Sequence, residues 1–405
     1  MTRGQIANVD LIKQVNCAAV YRLIDSQGPI SRVKIAELSH LAAASVTKIT
    51  RTLIECGLIR EMAHQASTGG RRAISLTTVT HAFHLVSVKL GREELQLCLY
   101  SLDGQVLARQ IHAFPQQPQA ALLDALIAHI GDFIAEQRQH QALTLVAIAL
   151  TMPGLTDAVH GQVVYHPSFP LVDVPLARLL KEALGLPVFI GNDIRTQALA
   201  EHYFGASRDC LDSVLVSVRH GVGAGIITEG RIFRSLGRDV AEIGHIRVDA
   251  LGDRCHCGNF GCLETMVADA ALLKQAGRML EQGFDSLLKR QPLTMASLCQ
   301  AALDGDRLAR DVLGRAAEYL GQALAIMVNL FNPQKILIAG ELCAADSLLF
   351  PLIGKAIAHQ SLPSFHRDLP IVKARFQDEQ TIGGLALVKR ALLEGELLQL
   401  IIESR

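Results

Sequence analysis

The sequence predicts an N-terminal winged helix-turn-helix followed by an α/β body made of two successive halves. The first 82 residues carry ten basic and five acidic side chains, whereas the formal net charge of all 405 residues is zero. Apolar residues in this basic segment recur at helical spacing. From residue 84 onward strand-like and helix-like runs alternate, and the same order restarts near residue 213. We therefore predict domains at 1–82, 83–195 and 196–405.

The composition is that of an ordinary folded α/β protein. Half of the residues are hydrophobic and 19% are charged, which predicts a large buried core and excludes a disordered chain. The polar start lacks the apolar stretch of a signal peptide, and we expect no membrane span and a cytoplasmic location. Because the chain is neutral as a whole, any attraction to nucleic acid has to be local.

Two short helices with the spacing of a helix-turn-helix are expected at SRVKIAELSHL and SVTKITRTLIECG. Ser31 and Ser45 are predicted N-caps, and Gly57 is predicted to end the second helix. The exposed face of that helix offers side chains of the kinds that contact bases and phosphates. These DNA-binding candidates are Ser45, Thr47, Lys48, Thr50 and Arg51. An ordinary helical hairpin with solvated lysines is the alternative interpretation.

A predicted wing follows, in which two strand-like runs flank STGGRR at 67–72. The glycine pair favours a tight turn. Arg71 and Arg72 are candidates for the minor groove, because arginine favours narrow A·T-rich grooves. A solvated basic hairpin is the alternative.

The body is expected to contain the same strand order twice. Three antiparallel strands are predicted within 84–114, followed by a helix and a buried strand, and a similar series begins at 213 and includes KILIAGEL. No repeat is visible residue by residue, so the prediction of a duplicated architecture with a cleft between its halves rests on element order.

Three cysteines lie close together in CHCGNFGCLE at 255–264. Cys255, Cys257 and Cys262 have C-x-C-x4-C spacing, and His245 precedes them by ten residues. Three thiolates and one imidazole predict a closed, structural zinc site that braces the loop. Reduced cytoplasmic thiols disfavour a disulfide, and a redox pair would favour C-x-x-C. A chance cluster of buried cysteines is the remaining alternative.

Carboxylates and an amide accompany this loop. Glu242 and Glu264 flank it, and Asn192 with Asp193 stands after a strand at the start of a helix. Such groups suit the hydroxyls of a polyol, which both donate and accept hydrogen bonds. Asp193 has an equally good structural interpretation as a helix cap.

E-x-x-G-H followed by C-x-C-G-x-x-G-C-x-E resembles the ROK family, which contains sugar kinases and sugar-responsive repressors. NPQKILIAGE at 332–341 and TIGGLALVKRALL near the C-terminus are also similar to that family. The resemblance implies an actin-like, two-lobed ATPase fold for the body. It also implies sugar-binding roles for Asn192, Asp193, Glu242, His245 and Glu264, with Asp193 at the position of the kinases' catalytic base.

The phosphate loops of the kinase branch are altered in this chain. Where the kinases have D-x-G-G-T, this chain has Lys89-Leu90-Gly91-Arg92-Glu93, and where they have G-T-G it has Gly221-Val222-Gly223. Phosphoryl transfer requires neutralisation of phosphate charge. We therefore expect that the protein is not an enzyme.

The N-terminal stretches GQIANVDLIKQVN, SVTKITR and QASTGGRRAIS resemble the amino-sugar-responsive repressors of the family. The resemblance implies a repressor of N-acetylglucosamine uptake and catabolism genes, induced by N-acetylglucosamine 6-phosphate. It implies a homodimer or homotetramer on palindromic, A·T-rich double-stranded operators. One departure is Ala43, where these repressors have Pro. The alternatives are a repressor released by a membrane sugar-transport protein and, less favoured, a ROK sugar kinase.

The phosphate of that inducer would need a cation beside the carboxylate of Asp193. Arg195, Arg219 and His220 are the nearest candidates in the sequence.

Overall fold

The computed structural model describes residues 9–63, 74–234, 240–377 and 379–404. The chain forms two compact units, one of Met1–Gly191 with Gly384–Arg405 and the other of Asn192–Gly383. Residues 384–405, which we assigned to the last domain, therefore group with the first unit. The other predicted domain bounds stay predictions.

Over residues 9–63 and 74–78, which we call the head, the first unit contains three helices and a three-stranded antiparallel sheet in the order β1-β3-β2. The elements are α1 (Val9–Gln27), β1 (Ile30–Ser31), α2 (Arg32–Ser39), α3 (Ala43–Glu55), β2 (Ile59–Ala63) and β3 (Ile74–Thr78). Fully buried apolar side chains of all three helices, among them Ile24, Ile35 and Leu53, form the core of this winged head. The pairing of Ala63 with Ile74 confirms the predicted hairpin.

Two of the predicted helix boundaries are confirmed. Ser31 caps α2, since its side chain accepts a hydrogen bond from the Lys34 N–H at 3.3 Å. Gly57 has φ +72° just after α3, and its N–H donates to the carbonyl of Ile54. A left-handed residue at this place is the usual way to end a helix, and glycine adopts it without steric cost.

The rest of the first unit holds a five-stranded sheet in the order β11-β7-β4-β5-β6. A small second sheet has the order β10-β9-β8. The elements of this region are β4 (His84–Leu90), β5 (Glu94–Ser101), β6 (Val106–Ala113), α4 (Gln119–His140), β7 (Leu145–Met152), β8 (Leu155–Asp157), β9 (Gln162–Tyr165), β10 (Val172–Val174), α5 (Leu176–Leu184) and β11 (Val188–Asn192). Strands β4, β5 and β6 are antiparallel neighbours as predicted, and β4 pairs with β7 in parallel.

The second unit repeats this sheet with the order β14-β13-β12-β15-β16. Its elements are α6 (Asp193–Phe204), β12 (Ser213–Val218), β13 (Val222–Thr228), β14 (Arg231–Ile232), α7 (Leu263–Val267), α8 (Asp269–Glu281), α9 (Met295–Leu303), α10 (Arg307–Phe331), β15 (Lys335–Ala339), α11 (Asp346–Gln360), α12 (Pro363–His366) and β16 (Ile371–Lys373). In each unit the first strand of an antiparallel series also pairs in parallel with a later strand, β4 with β7 and β12 with β15. This shared arrangement confirms the predicted duplication.

The chain ends with α13 (Ile382–Leu393) and α14 (Glu396–Glu403). In the first unit, Lys389 of α13 forms an ion pair with Asp25 of α1, and both side chains are largely buried. Gly395 lies so close to α1 that an added Cβ would be 3.0 Å from the Ala18 side chain. The C-terminal helices thereby anchor α1 through residues that are 364 positions apart, a contact that no local pattern can predict.

Within the described residues, one helical segment, Glu341–Gln360, has the length and apolar composition of a membrane span. Its Leu349, Ile353 and Ile357 are buried in the apolar core of the second unit. An apolar helix packed in this way is typical of a protein core.

Candidate sugar site, metal cluster and DNA-binding face

The segment 221–223, where β13 begins, is the meeting point of several elements of the second unit. A Cβ on Gly223 would lie 2.6 Å from the side chain of Ile194 in α6. A Cβ on Gly244, in the 3-10 helix before the cysteine loop, would lie 2.2 Å from the carbonyl oxygen of Val222. Because a Cβ at residue 244 would clash with the backbone, only glycine lets the 3-10 helix approach this segment so closely, whereas a Cβ at residue 223 would require the Ile194 side chain to shift.

Asn192 and Asp193 lie where β11 ends and α6 begins. The side-chain oxygen of Asn192 accepts hydrogen bonds from the N–H groups of Ile194 at 3.0 Å and Arg195 at 3.1 Å. Asn192 is therefore the N-cap, and Asp193 is the first helical residue. The helix-cap interpretation thus applies to Asn192, and Asp193 adds a carboxylate at a helix N-terminus, where negative charge is favoured.

Glu242 and His245 lie at the two ends of a 3-10 helix, Ile243–His245. Glu242 is exposed and directly precedes the helix, while His245 is half-buried at its end. The Nδ1 atom of His245 lies 3.5 Å from Sγ of Cys255. One ring nitrogen of His245 thus faces the cysteines, and Nε2 is the nitrogen that remains for a different partner.

Glu264 is held through both of its carboxylate oxygens. Its Oε2 accepts a hydrogen bond from the backbone N–H of Val222 at 3.2 Å, and its Oε1 lies 3.0 Å from Nδ1 of His256. A Cβ on Gly221 would lie 2.6 Å from Oε2, so the carboxylate fills a notch that exists because residue 221 is glycine. The contacts with Val222 and His256 could not be predicted from the sequence, since a backbone donor and a residue between two cysteines have no spacing signature.

The four metal-ligand candidates come together as predicted. The ligand atoms of His245, Cys255, Cys257 and Cys262 all lie within 4.8 Å of one another. Sγ of Cys257 and Sγ of Cys262 are 3.7 Å apart. Cys255 and Cys262 are buried and Cys257 is exposed. The group could hold a metal ion with protein atoms at four corners.

The three thiols of this cluster differ in pKa. Burial raises the pKa of Cys262 to about 12, and burial likewise raises the pKa of Cys255 above its ordinary value. The backbone N–H of Asn259 lowers the pKa of Cys257. Two of the three thiols are therefore neutral at pH 7 unless a cation stabilises their thiolates.

The DNA-binding candidates of α3 divide into four exposed residues and one buried residue. Ser45, Thr47, Lys48 and Arg51 are exposed. Thr50 is fully buried and accepts a hydrogen bond from Nε of Arg32 at 3.0 Å. The prediction that Thr50 lies on the exposed face is wrong, because its hydroxyl joins α3 to α2 inside the head.

A second correction concerns the start of α3. The helix begins at Ala43 with Ala42 as N-cap, so Ser45 is the third helical residue and not the cap. Ala43 occupies the first helical position, at which Pro would fit. Arg71 and Arg72 lie outside the described residues, so their predicted contact with the minor groove stays a prediction.

The altered phosphate loop of the second unit has acidic neighbours. The backbone N–H of Asp269 donates to the carbonyl of Arg219, the residue two before Gly221. Burial, followed by the negative charge of Glu341, raises the pKa of Asp269 to about 6. At pH 7 the carboxylate of Asp269 is still mostly ionised. Such charge repels a polyphosphate.

The phosphate-binding candidates Arg195 and Arg219 each bond a backbone carbonyl. Arg195 donates to the oxygen of Phe233 at 2.7 Å, and Arg219 donates to the oxygen of Gln377. His220 lies close enough to Asp269 to lower the pKa of that carboxyl. Both arginines are thus placed by a backbone carbonyl of the second unit.

Comparison with known proteins agrees with this architecture. The model of the ROK family matches residues 85–391. The chain is 50% identical over 402 residues, 99% of both chains, to the DNA-binding transcriptional dual regulator NagC of Escherichia coli K12 and, to the same extent, to the N-acetylglucosamine repressor of Escherichia coli O157:H7. It is 41% identical over 407 residues, 100% of both chains, to the DNA-binding transcriptional repressor Mlc of Escherichia coli K12.

A solved structure extends the comparison to the head. The crystal structure of a ROK family transcriptional regulator, a homologue of the Escherichia coli Mlc protein, superposes with a TM-score of 0.91 at 41% identity. The match covers 97% of this chain and 99% of that one. The resemblance read from the cysteine loop and the N-terminal stretches is confirmed, and the chain belongs to the ROK family.

Proposed function

We propose that the protein is a sequence-specific DNA-binding repressor of genes for N-acetylglucosamine uptake and catabolism. The observation that carries this proposal is the 50% identity to an N-acetylglucosamine repressor over 99% of both chains, head included. The exposed Lys48 and Arg51 of α3 supply the cationic and hydrogen-bonding groups that DNA requires. As a repressor it acts in the cytoplasm, as a homodimer or homotetramer on palindromic, A·T-rich operators.

The inducer is N-acetylglucosamine 6-phosphate, bound in the second unit by Asn192, Asp193, Glu242, His245 and Glu264. The convergence of α6, the 3-10 helix and α7 on the segment 221–223 supports this assignment, because it brings the elements that carry these residues close together. Carboxylates accept hydrogen bonds from sugar hydroxyls, and the second nitrogen of His245 adds a further polar contact. Arg195, Arg219 and His220 are the candidates to balance the phosphate charge.

Zinc is the metal that we assign to the cysteine cluster. For a tetrahedral zinc ion with bonds of about 2.3 Å to sulfur and about 2.0–2.1 Å to nitrogen, two sulfurs lie about 3.8 Å apart and a sulfur–nitrogen pair about 3.6 Å apart. The separations of 3.7 Å and 3.5 Å in this cluster fit these values. Three thiolates and one imidazole are a typical structural zinc set, and with four protein ligands the ion would brace the loop.

The same site argues for a sensor and against a kinase. Asp193 keeps the position of a catalytic base, yet the acidic residues Glu93, Asp269 and Glu341 lie in or beside the altered phosphate loops of their respective units. Phosphoryl transfer depends on cations that neutralise the transferred group. Binding of sugar phosphate would instead lower operator affinity, and couplings of about 1–3 kcal/mol are usual for allosteric proteins.

Isothermal titration of the purified protein tests sensor against kinase. We expect N-acetylglucosamine 6-phosphate to bind without ATP, and glucosamine 6-phosphate and glucose 6-phosphate to bind at least about tenfold more weakly, because an unmatched buried polar group costs about 1–3 kcal/mol. With N-acetylglucosamine and ATP–Mg²⁺ we expect no ADP. ATP-dependent phosphorylation of the free sugar would contradict the proposal and favour the kinase.

A further inference from the structure

His256, the residue between the first two cysteines of the loop, contacts a group outside that loop. Its Nδ1 atom is 3.0 Å from Oε1 of Glu264 and 3.8 Å from Sγ of Cys255. Resting on the proposed function, we propose that His256 is a positioning residue that orients Glu264 toward the sugar. His256 thereby links the cysteine loop, which the metal would brace, to the carboxylate of Glu264, which would bind the sugar.

The contacts of Glu264 leave little rotational freedom to its carboxylate. One oxygen accepts from the Val222 N–H at 3.2 Å and the other faces Nδ1 of His256. The side chain of Glu264 is 19% exposed, so the contact on the buried side is the backbone bond and the contact on the open side is the imidazole. Without His256, only the hydrogen bond to Oε2 would restrict rotation of the Glu264 carboxylate about its Cγ–Cδ bond.

His256 would donate a hydrogen bond here and would not bind a metal. Cys255, His256 and Glu264 also form a group of possible ligands. However, two ligand atoms with bonds of about 2.0–2.1 Å to one tetrahedral ion lie about 3.3 Å apart. The 3.0 Å between Nδ1 and Oε1 is instead a hydrogen-bond distance. Cys255 also has a closer nitrogen partner, Nδ1 of His245 at 3.5 Å.

The cysteine loop positions His256 because this residue lies between two candidate metal ligands in the sequence. Its two neighbours in the chain, Cys255 and Cys257, are both candidate metal ligands, and the rings of His256 and His245 lie with centroids 5.0 Å apart. Anchoring the residues on both sides fixes the backbone at 256. His256 is 70% exposed, and its ring is held by this anchoring and by its contacts with Glu264, Cys255 and His245.

Binding of N-acetylglucosamine 6-phosphate to His256→Ala and His256→Asn tests the inference. The amide N–H of asparagine can replace the donor Nδ1, whereas alanine offers none. We expect His256→Ala to bind the sugar phosphate about tenfold more weakly, the scale for loss of a hydrogen bond to a charged group. His256→Asn should recover most of this loss. Zinc content and operator affinity without sugar should match the unaltered chain in both variants.

A double-mutant comparison separates positioning from structure. In a Glu264→Gln background, His256→Ala should cause no further loss, because the carboxylate that it orients is gone. Equal sugar binding by His256→Ala and the unaltered chain would overturn the inference, as would an additive loss in that background. Failure of the unaltered chain to bind any sugar phosphate would overturn the proposed function itself, which is a different result.

Discussion

Replacing Cys257 by Ser is expected to produce a protein that binds its operator but is not released by N-acetylglucosamine 6-phosphate. Cys257 is exposed, so serine causes little steric disturbance, yet one of the four metal ligands is lost. Changes in groups that merely support a metal ligand already cost about 10–100-fold in affinity, so loss of a thiolate should cost more than about 100-fold. Without the metal, the loop would no longer fix His245 and Glu264.

Metal analysis after dialysis against a weak chelator, followed by operator and sugar-phosphate titrations, would measure this result. We expect less than one tenth of the zinc of the unaltered chain, about the same operator affinity and at least a tenfold weaker response to sugar phosphate, the scale of a loss of about 1.4 kcal/mol. Cys17→Ser, in the half-buried cysteine of α1, is the matched control for zinc content. A zinc-free variant that sugar phosphate still releases would refute the bracing role.

Lys48→Ala and Arg51→Ala are expected to lower operator affinity strongly. Both side chains are exposed on α3, the second helix of the helix-turn-helix. A base contact is worth about 1–3 kcal/mol, or about 5–150-fold in affinity, and its loss relaxes specificity at one base pair. A phosphate contact instead weakens binding to all sequences and reduces the salt slope by about one.

Fluorescence anisotropy at several salt concentrations would distinguish these roles. Lys355→Ala is the matched control, because Lys355 is an exposed lysine of α11 in the second unit. We expect the control to bind operator as the unaltered chain does. Unchanged affinity in both α3 variants would show that a different face of the head contacts DNA.

Much of the head could be predicted from local patterns, and the errors in that prediction also have local causes. The capping serine Ser31 and the left-handed Gly57 are strong signals because few residues perform these tasks. The prediction for Thr50 is wrong because the residue type alone favours a surface position. It is in phase with the buried Val46 and Leu53 at helical spacing, and this phase decides its burial.

The body shows where sequence patterns become insufficient. Strand order predicted the two similar sheets, and cysteine spacing predicted the metal cluster. The grouping of 384–405 with the first unit depends on contacts such as Lys389 with Asp25, which are remote in sequence. The hold on Glu264 depends on a backbone N–H and on His256, and neither is recognisable until the loop is folded.

The central claim is that an acetylated amino-sugar phosphate releases this protein from DNA. The most direct test is titration of the protein bound to an amino-sugar operator fragment, followed by anisotropy at fixed salt. N-acetylglucosamine 6-phosphate should weaken operator binding about 5–150-fold, the usual allosteric range, while glucosamine 6-phosphate and glucose 6-phosphate should leave it unchanged. Retention on DNA with all three would contradict the claim, and release by vesicles carrying a sugar-transport protein would then establish the alternative.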